Sequence, residues 1–166
     1  MSELLEHEYD KEHKMPSINH SYLQAQIILA LAEHKQFTPF VELSLDASQI
    51  DLSQFGLKTK DELIPDVCLY EGIHKFDPLG DASKRSDMPS LVVEILSPTQ
   101  GTEEILAKFK AYFALGIKSC WLIIPATEVI AIYSPQSVES FGSKDTEIID
   151  NTLDIHLPIQ KIWGQI

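Results

Sequence analysis

Apolar and polar positions follow two rhythms along this chain, and the changeovers between them mark its elements. From Pro89 to Leu96 the run Pro-Ser-Leu-Val-Val-Glu-Ile-Leu is β-branched and of strand length. Alternation puts Leu91, Val93 and Ile95 on one face and Val92, Glu94 and Leu96 on the other. Ser97-Pro98-Thr99 breaks the strand, and a helical period then runs from Thr102 to Leu115, ahead of Gly116. On that helix Ile105, Phe109, Tyr112, Phe113 and Leu115 form one apolar arc. Lys108 falls inside the arc, whereas Lys110 falls outside it, near Glu103.

The same patterns predict the other elements. A helix is expected over Ser21–His34, with Ile27, Leu31 and either Leu23 or Leu29 on its apolar side and Ser17 or Asn19 as cap. His20, at its start, reads as a surface histidine. Phe40–Asp46 alternates as a strand, with Val41, Leu43 and Leu45 on one face and Phe40, Glu42, Ser44 and Asp46 on the other. Ala47–Glu62 is a polar insertion containing Gly56, with room for a short helical turn. Leu63–Tyr70 is a second strand, in which Pro65 places Asp66 at or near the start. Glu71–Met88 is a loop. Lys118–Pro125 and Val129–Tyr133 are strands joined by the tight link Ala126-Thr127-Glu128. Phe141–Asp150 reads as loop and edge strand, and Leu153–Ile162 ends the pattern with Trp163 as a packing anchor. The Glu94 strand, its helix and the Trp121 strand make a βαβ unit, which requires parallel strands and a right-handed crossover. The preceding strands can pair antiparallel through hairpins, so the expected fold is α/β, a central mixed β-sheet flanked by helices.

Composition narrows the class. The chain has 166 residues, 44% hydrophobic and 23% charged, which suits one globular domain with a real core. That domain is expected over 16–166, after a flexible tail at 1–15. No apolar run reaches membrane-spanning length, and Met1–Lys14 lacks the apolar region of a signal peptide, so the expected compartment is cytoplasmic. Cys68 and Cys120 lie in strand-like runs without metal spacing and read as buried thiols. A net charge of −12 argues against a general nucleic-acid coat, because neutralising phosphates takes clustered Lys and Arg. It leaves a local groove, a metal or a dimer cleft as routes to a nucleic acid. There is no Gly-rich phosphate loop and no GxSxG, which removes support for a small-molecule α/β enzyme.

Three acids, Glu42, Asp66 and Glu94, fall on or at the start of neighbouring strands. A carboxylate on a core strand is costly unless a cation, a metal or a proton accompanies it. Hard divalent cations take such oxygen ligands together with waters and substrate phosphate. A metal so held lowers the pKa of water and stabilises phosphoryl charge. Lys108 either lays its stem along apolar surface or adds positive charge near Glu94. The logic is that of a metal-dependent phosphodiesterase.

These residues resemble a known family. Pro65-Asp66-Val67, Val93-Glu94-Ile95-Leu96-Ser97-Pro98, Lys108 with Tyr112, Gly116-Ile117 and Cys120-Trp121-Leu122-Ile123 are similar to the PD-(D/E)XK nuclease superfamily. Within it they resemble the restriction-endonuclease-like domains whose lysine has moved to the helix after the acidic strand, since the usual lysine position is Leu96 here. The likeness runs from about His20 to Tyr133. It implies a restriction-endonuclease-like core and catalytic roles for Asp66, Glu94 and Lys108. It further implies a magnesium ion, or manganese in its place, on Asp66, Glu94 and the Ile95 carbonyl, with Glu42 as a further candidate acid. The implied activity is metal-dependent DNA endonuclease, with a homodimer as the simplest way to cut both strands. The alternative is a nuclease fold used as a non-catalytic binding module. Longer members carry an N-terminal hairpin with a Glu-Leu-x-x-Gly segment, which Met1–Lys14 does not match.

Overall fold

The computed structural model describes residues 17–59 and 61–164; the expected tail at 1–15 lies outside them. Helix α1, Ile18–Leu31, starts where Ser17 leaves extended backbone and its hydroxyl accepts the His20 N–H. The helix thus begins and ends about three residues earlier than its apolar spacing predicts. After it come β1 (Phe37–Val41), the short β2 (Leu45–Asp46), a 3₁₀ turn (Leu52–Phe55) and the short β3 (Glu62–Leu63). The chain continues through β4 (Val67–Glu71), β5 (Leu91–Ile95), helix α2 (Thr102–Ala114), β6 (Ser119–Ile124) and β7 (Val129–Tyr133). It ends with β8 (Val138–Phe141), β9 (Glu147–Asp150), β10 (Ile155–Pro158) and helix α3 (Ile159–Trp163).

Six strands form the central sheet in the order β1-β4-β5-β6-β7-β8. Only β5 and β6 run parallel, across the α2 crossover; the other pairs are antiparallel. The mixed α/β fold follows the predicted topology, with the Asp66 and Glu94 strands adjacent. Period-two alternation sorts the sheet's side chains onto two cores. Leu91, Val93 and Ile95 pack with Leu23, Ile27 and Leu31 of α1, and β9, β10 and α3 close the same face. Val92 and Leu122 pack with Ile105, Phe109 and Tyr112 of α2, over Leu52 and Leu63.

Three expectations are corrected. Phe40–Asp46 is not one strand: the chain turns at Glu42, whose φ is 49°, and Leu45–Asp46 pairs instead with Glu62–Leu63. The turn also changes which residues face inward: Val41, which alternation groups with Leu43 and Leu45, is 50% exposed, while Phe40, Leu43 and Leu45 pack into the α2-side core. A further antiparallel strand, β8, begins at Val138, before the predicted polar segment. Its exposed Val138, Glu139 and Ser140 leave no apolar rhythm to read. Finally, the apolar run Val129–Tyr133, which with Trp163 reads in sequence as surface for a homodimer, is β7: it lies between β6 and β8 and buries Ile130, Ala131 and Ile132.

Candidate active site

The β4–β5 ladder ends where the acids begin. Its last described pair is Val67 with Val93, and beyond it the two strands separate. Pro65 cannot donate to the ladder, so Asp66 stands just outside β4 with its side chain free to turn inward. There Asp66 Oδ2 takes the place of a strand neighbour and accepts the Ile95 N–H at 2.7 Å. Leu96 N–H bonds to the Ile123 carbonyl on the β6 side. The alternating backbone therefore sends the Ile95 peptide groups the other way, toward Asp66.

Glu94 faces α2 and is only 4% exposed. Tyr112, buried on that helix, donates its hydroxyl to Glu94 Oε1 at 2.8 Å. Burial pushes the Glu94 carboxyl up to about 8; the Lys108 charge opposes the rise, and Asp66 reinforces it by its charge and a hydrogen bond. A proton on Glu94 relieves the cost of burying its charge beside Asp66. Among the described residues, Lys108 is half-buried and acts through its charge without an ion pair to Glu94, while Lys110 is exposed.

Two residues that the sequence reading left out reach the same point from α1. His20 is not a surface histidine: it is 9% exposed, with Nε2 3.2 Å from Asp66 Oδ1. Its pKa is raised, chiefly by the hydrogen bond to Asp66, against the effect of burial. One turn later Gln24 donates from Nε2 to the Asp66 carbonyl at 2.8 Å, and the Glu42 N–H reaches the same oxygen at 3.2 Å. The signal was available in the helix spacing, because His20 and Gln24 lie in register with the buried stripe Leu23, Ile27 and Leu31. Glu42 is itself exposed, yet close enough for its charge to act on His20.

The site is therefore an end-of-sheet junction where Asp66, Glu94 and the Ile95 peptide meet, bounded by α1 on one side and α2 on the other. Among the described residues no group of three or more His, Cys, Asp or Glu side chains forms a ready-made metal cage. Two carboxylates and a backbone carbonyl instead match what a hard cation accepts when it keeps several waters.

A family model described as "Uma2: Putative restriction endonuclease" matches residues 3–160. The crystal structure of "a putative nuclease belonging to DUF820" from Anabaena variabilis shares the fold, with a TM-score of 0.70 at 21% identity. That match covers 91% of this chain and 83% of the other. No curated protein matches this chain.

Proposed function

This chain belongs to the Uma2 family of restriction-endonuclease-like proteins, and on that premise we propose that it is a metal-dependent DNA endonuclease hydrolysing phosphodiester bonds. The observation that supports this reading is the convergence of Asp66, Glu94 and the Ile95 peptide at one end of the sheet. Asp66, Glu94 and the Ile95 carbonyl would hold magnesium, or manganese in its place. A divalent cation so bound supplies Lewis-acid stabilisation of phosphoryl charge and a lower pKa for attacking water. Tyr112 orients the Glu94 carboxylate by donating to it. Lys108 adds positive charge beside the carboxylates, where it can meet the charge that develops on a phosphate. The Asp66 side chain, 17% exposed, is the more open of the two acids and faces the approach of substrate.

A second reading, a nuclease fold used as a binding module, is favoured by one feature. The net charge is −12, and two of its acids, Glu103 and Glu104, stand exposed on the first turn of α2. Titration of the purified protein with magnesium or manganese in the presence of supercoiled plasmid separates the two. The endonuclease nicks or linearises plasmid with either metal, is silent in EDTA, and loses cleavage on Asp66→Ala. A folded wild-type protein that leaves plasmid intact at every metal concentration is the binding module.

A further inference from the structure

We propose that α1 is a positioning device for Asp66: His20 holds the carboxylate and Gln24 holds the peptide carbonyl, so that Asp66 is aimed before any cation arrives. The cation part of this inference rests on the function proposed above; the aiming of Asp66 does not.

Asp66 needs such a device because the sheet does not hold it. The ladder begins at Val67, and the residue before Asp66 is a proline without an N–H. Each of its three oxygens is nevertheless occupied: Oδ1 by His20, Oδ2 by the Ile95 N–H, and the carbonyl by Gln24 and the Glu42 N–H. Of the side chains that reach it through space, His20 and Gln24 both come from α1, spaced four residues apart.

His20 has a local cost that a packing role does not explain. Its Nδ1 is buried and lacks a hydrogen-bond partner among the described residues. An apolar side chain of similar size would fill the same space without an unsatisfied nitrogen. An orphaned lone pair costs less than an orphaned N–H, so the proton belongs on Nε2, which donates to Asp66. Donors of this kind fix the orientation of a ligand carboxylate, and their loss commonly weakens metal affinity 10–100-fold. Gln24 acts on the backbone of the same residue and restrains the chain as it enters β4.

Two measurements at one fixed pH test the inference in His20→Leu, His20→Gln and Gln24→Met. The first is amide hydrogen exchange in EDTA, read at Ile95, whose N–H bonds to Asp66, with Val93 in the ladder as internal control. The second is manganese affinity by calorimetry, with the metal alone as probe. His20→Leu should speed Ile95 exchange about tenfold or more with Val93 unchanged, and weaken manganese binding about 10–100-fold. His20→Gln, whose amide nitrogen reaches as far as Nε2, should stay within about threefold of wild type in both. Gln24→Met should move both readouts in the same direction as His20→Leu, by less, and carries the test if His20→Leu does not fold. Wild-type exchange at Ile95 in the folded His20→Leu and Gln24→Met proteins overturns the positioning role. A wild-type protein that binds no manganese, with the exchange effect intact, overturns the cation reading and leaves α1 as the device that aims Asp66.

Discussion

Burial of the Glu94 carboxyl ties the stability of the metal-free protein to pH. The group sits near 4.5 in an unfolded chain and about 8 in the fold, so the folded state keeps a proton that the unfolded state gives up. The stability this contributes is fully present below about pH 4.5 and is lost as pH rises to about 8, at a slope of about 1.4 kcal/mol per pH unit. Thermal melts in EDTA should therefore fall across that window, and Glu94→Gln should flatten the profile. If the proposed function holds, magnesium or manganese would take the place of that proton, and either should raise the melting temperature strongly at pH 8 and little at pH 5. A wild-type profile that stays flat across the window would contradict the burial argument. Lys108 and Lys110 form a matched pair two positions apart on α2, one half-buried and one exposed. Lys108→Met keeps the apolar stem and removes the charge. It should lower metal-dependent cleavage at least about 100-fold, a size typical for losing a transition-state electrostatic contact. Lys110→Ala should leave cleavage unchanged. Equal rates for wild type and Lys108→Met would make Lys108 a packing residue.

Among the elements, β9 and β10 show how a small hairpin is fixed to a large sheet. Asp150, 1% exposed at the end of β9, accepts the Ser119 hydroxyl and the Trp121 indole N–H of β6. It also accepts the backbone N–H groups of Thr152 and Leu153. A buried carboxylate with four donors is well satisfied, and those donors depend on it. Asp150→Ala strands the buried donors on Ser119 and Trp121, and should cost about 3 kcal/mol in urea unfolding. Because this cluster lies on the α1 face of the sheet, away from Glu94, manganese affinity of the folded Asp150→Ala protein should not change. At the other edge, Glu42 spends its position on a turn: its φ of 49° ends β1 and lets its N–H meet the Asp66 carbonyl. The element that was expected to carry an acid on its face instead supplies a backbone donor to the neighbouring acid.

For the whole molecule, charge sets the condition under which the proposed DNA substrate would approach. A net charge of −12 repels a polyanion, and the exposed Glu103 and Glu104 place part of that charge at the start of α2. Binding of duplex DNA in EDTA at physiological salt should be undetectable in a gel shift. Lys108→Met protein, which retains the carboxylates, should bind DNA once manganese is present, without cutting it. DNA binding of equal strength in EDTA and in manganese would place the interface elsewhere on the surface. No described helix is long and apolar enough to cross a membrane.

The sequence by itself determined the layers. Alternation within Pro89–Leu96, the helical period from Thr102 to Leu115 and the return at Lys118–Pro125 specify a parallel βαβ unit, because each rhythm can bury its apolar side in only one way. It also put Glu94 on one face with Val92 and Leu96 and Lys110 outside the apolar arc, since both follow from angles within a single element. What only the tertiary structure decided lies between elements. His20 and Gln24 are ordinary polar residues on a helix until α1 packs across the end of the sheet and brings them to Asp66, 42 positions beyond Gln24. The turn at Glu42 left the alternation undisturbed, so nothing in the local pattern distinguished one long strand from two short ones in different sheets. Asp150 reads as an edge-strand aspartate because its partners Ser119 and Trp121 lie about thirty residues away. Periodicity records which side of an element is buried; which polar groups meet there depends on distances across the fold, and those are set only when the layers close.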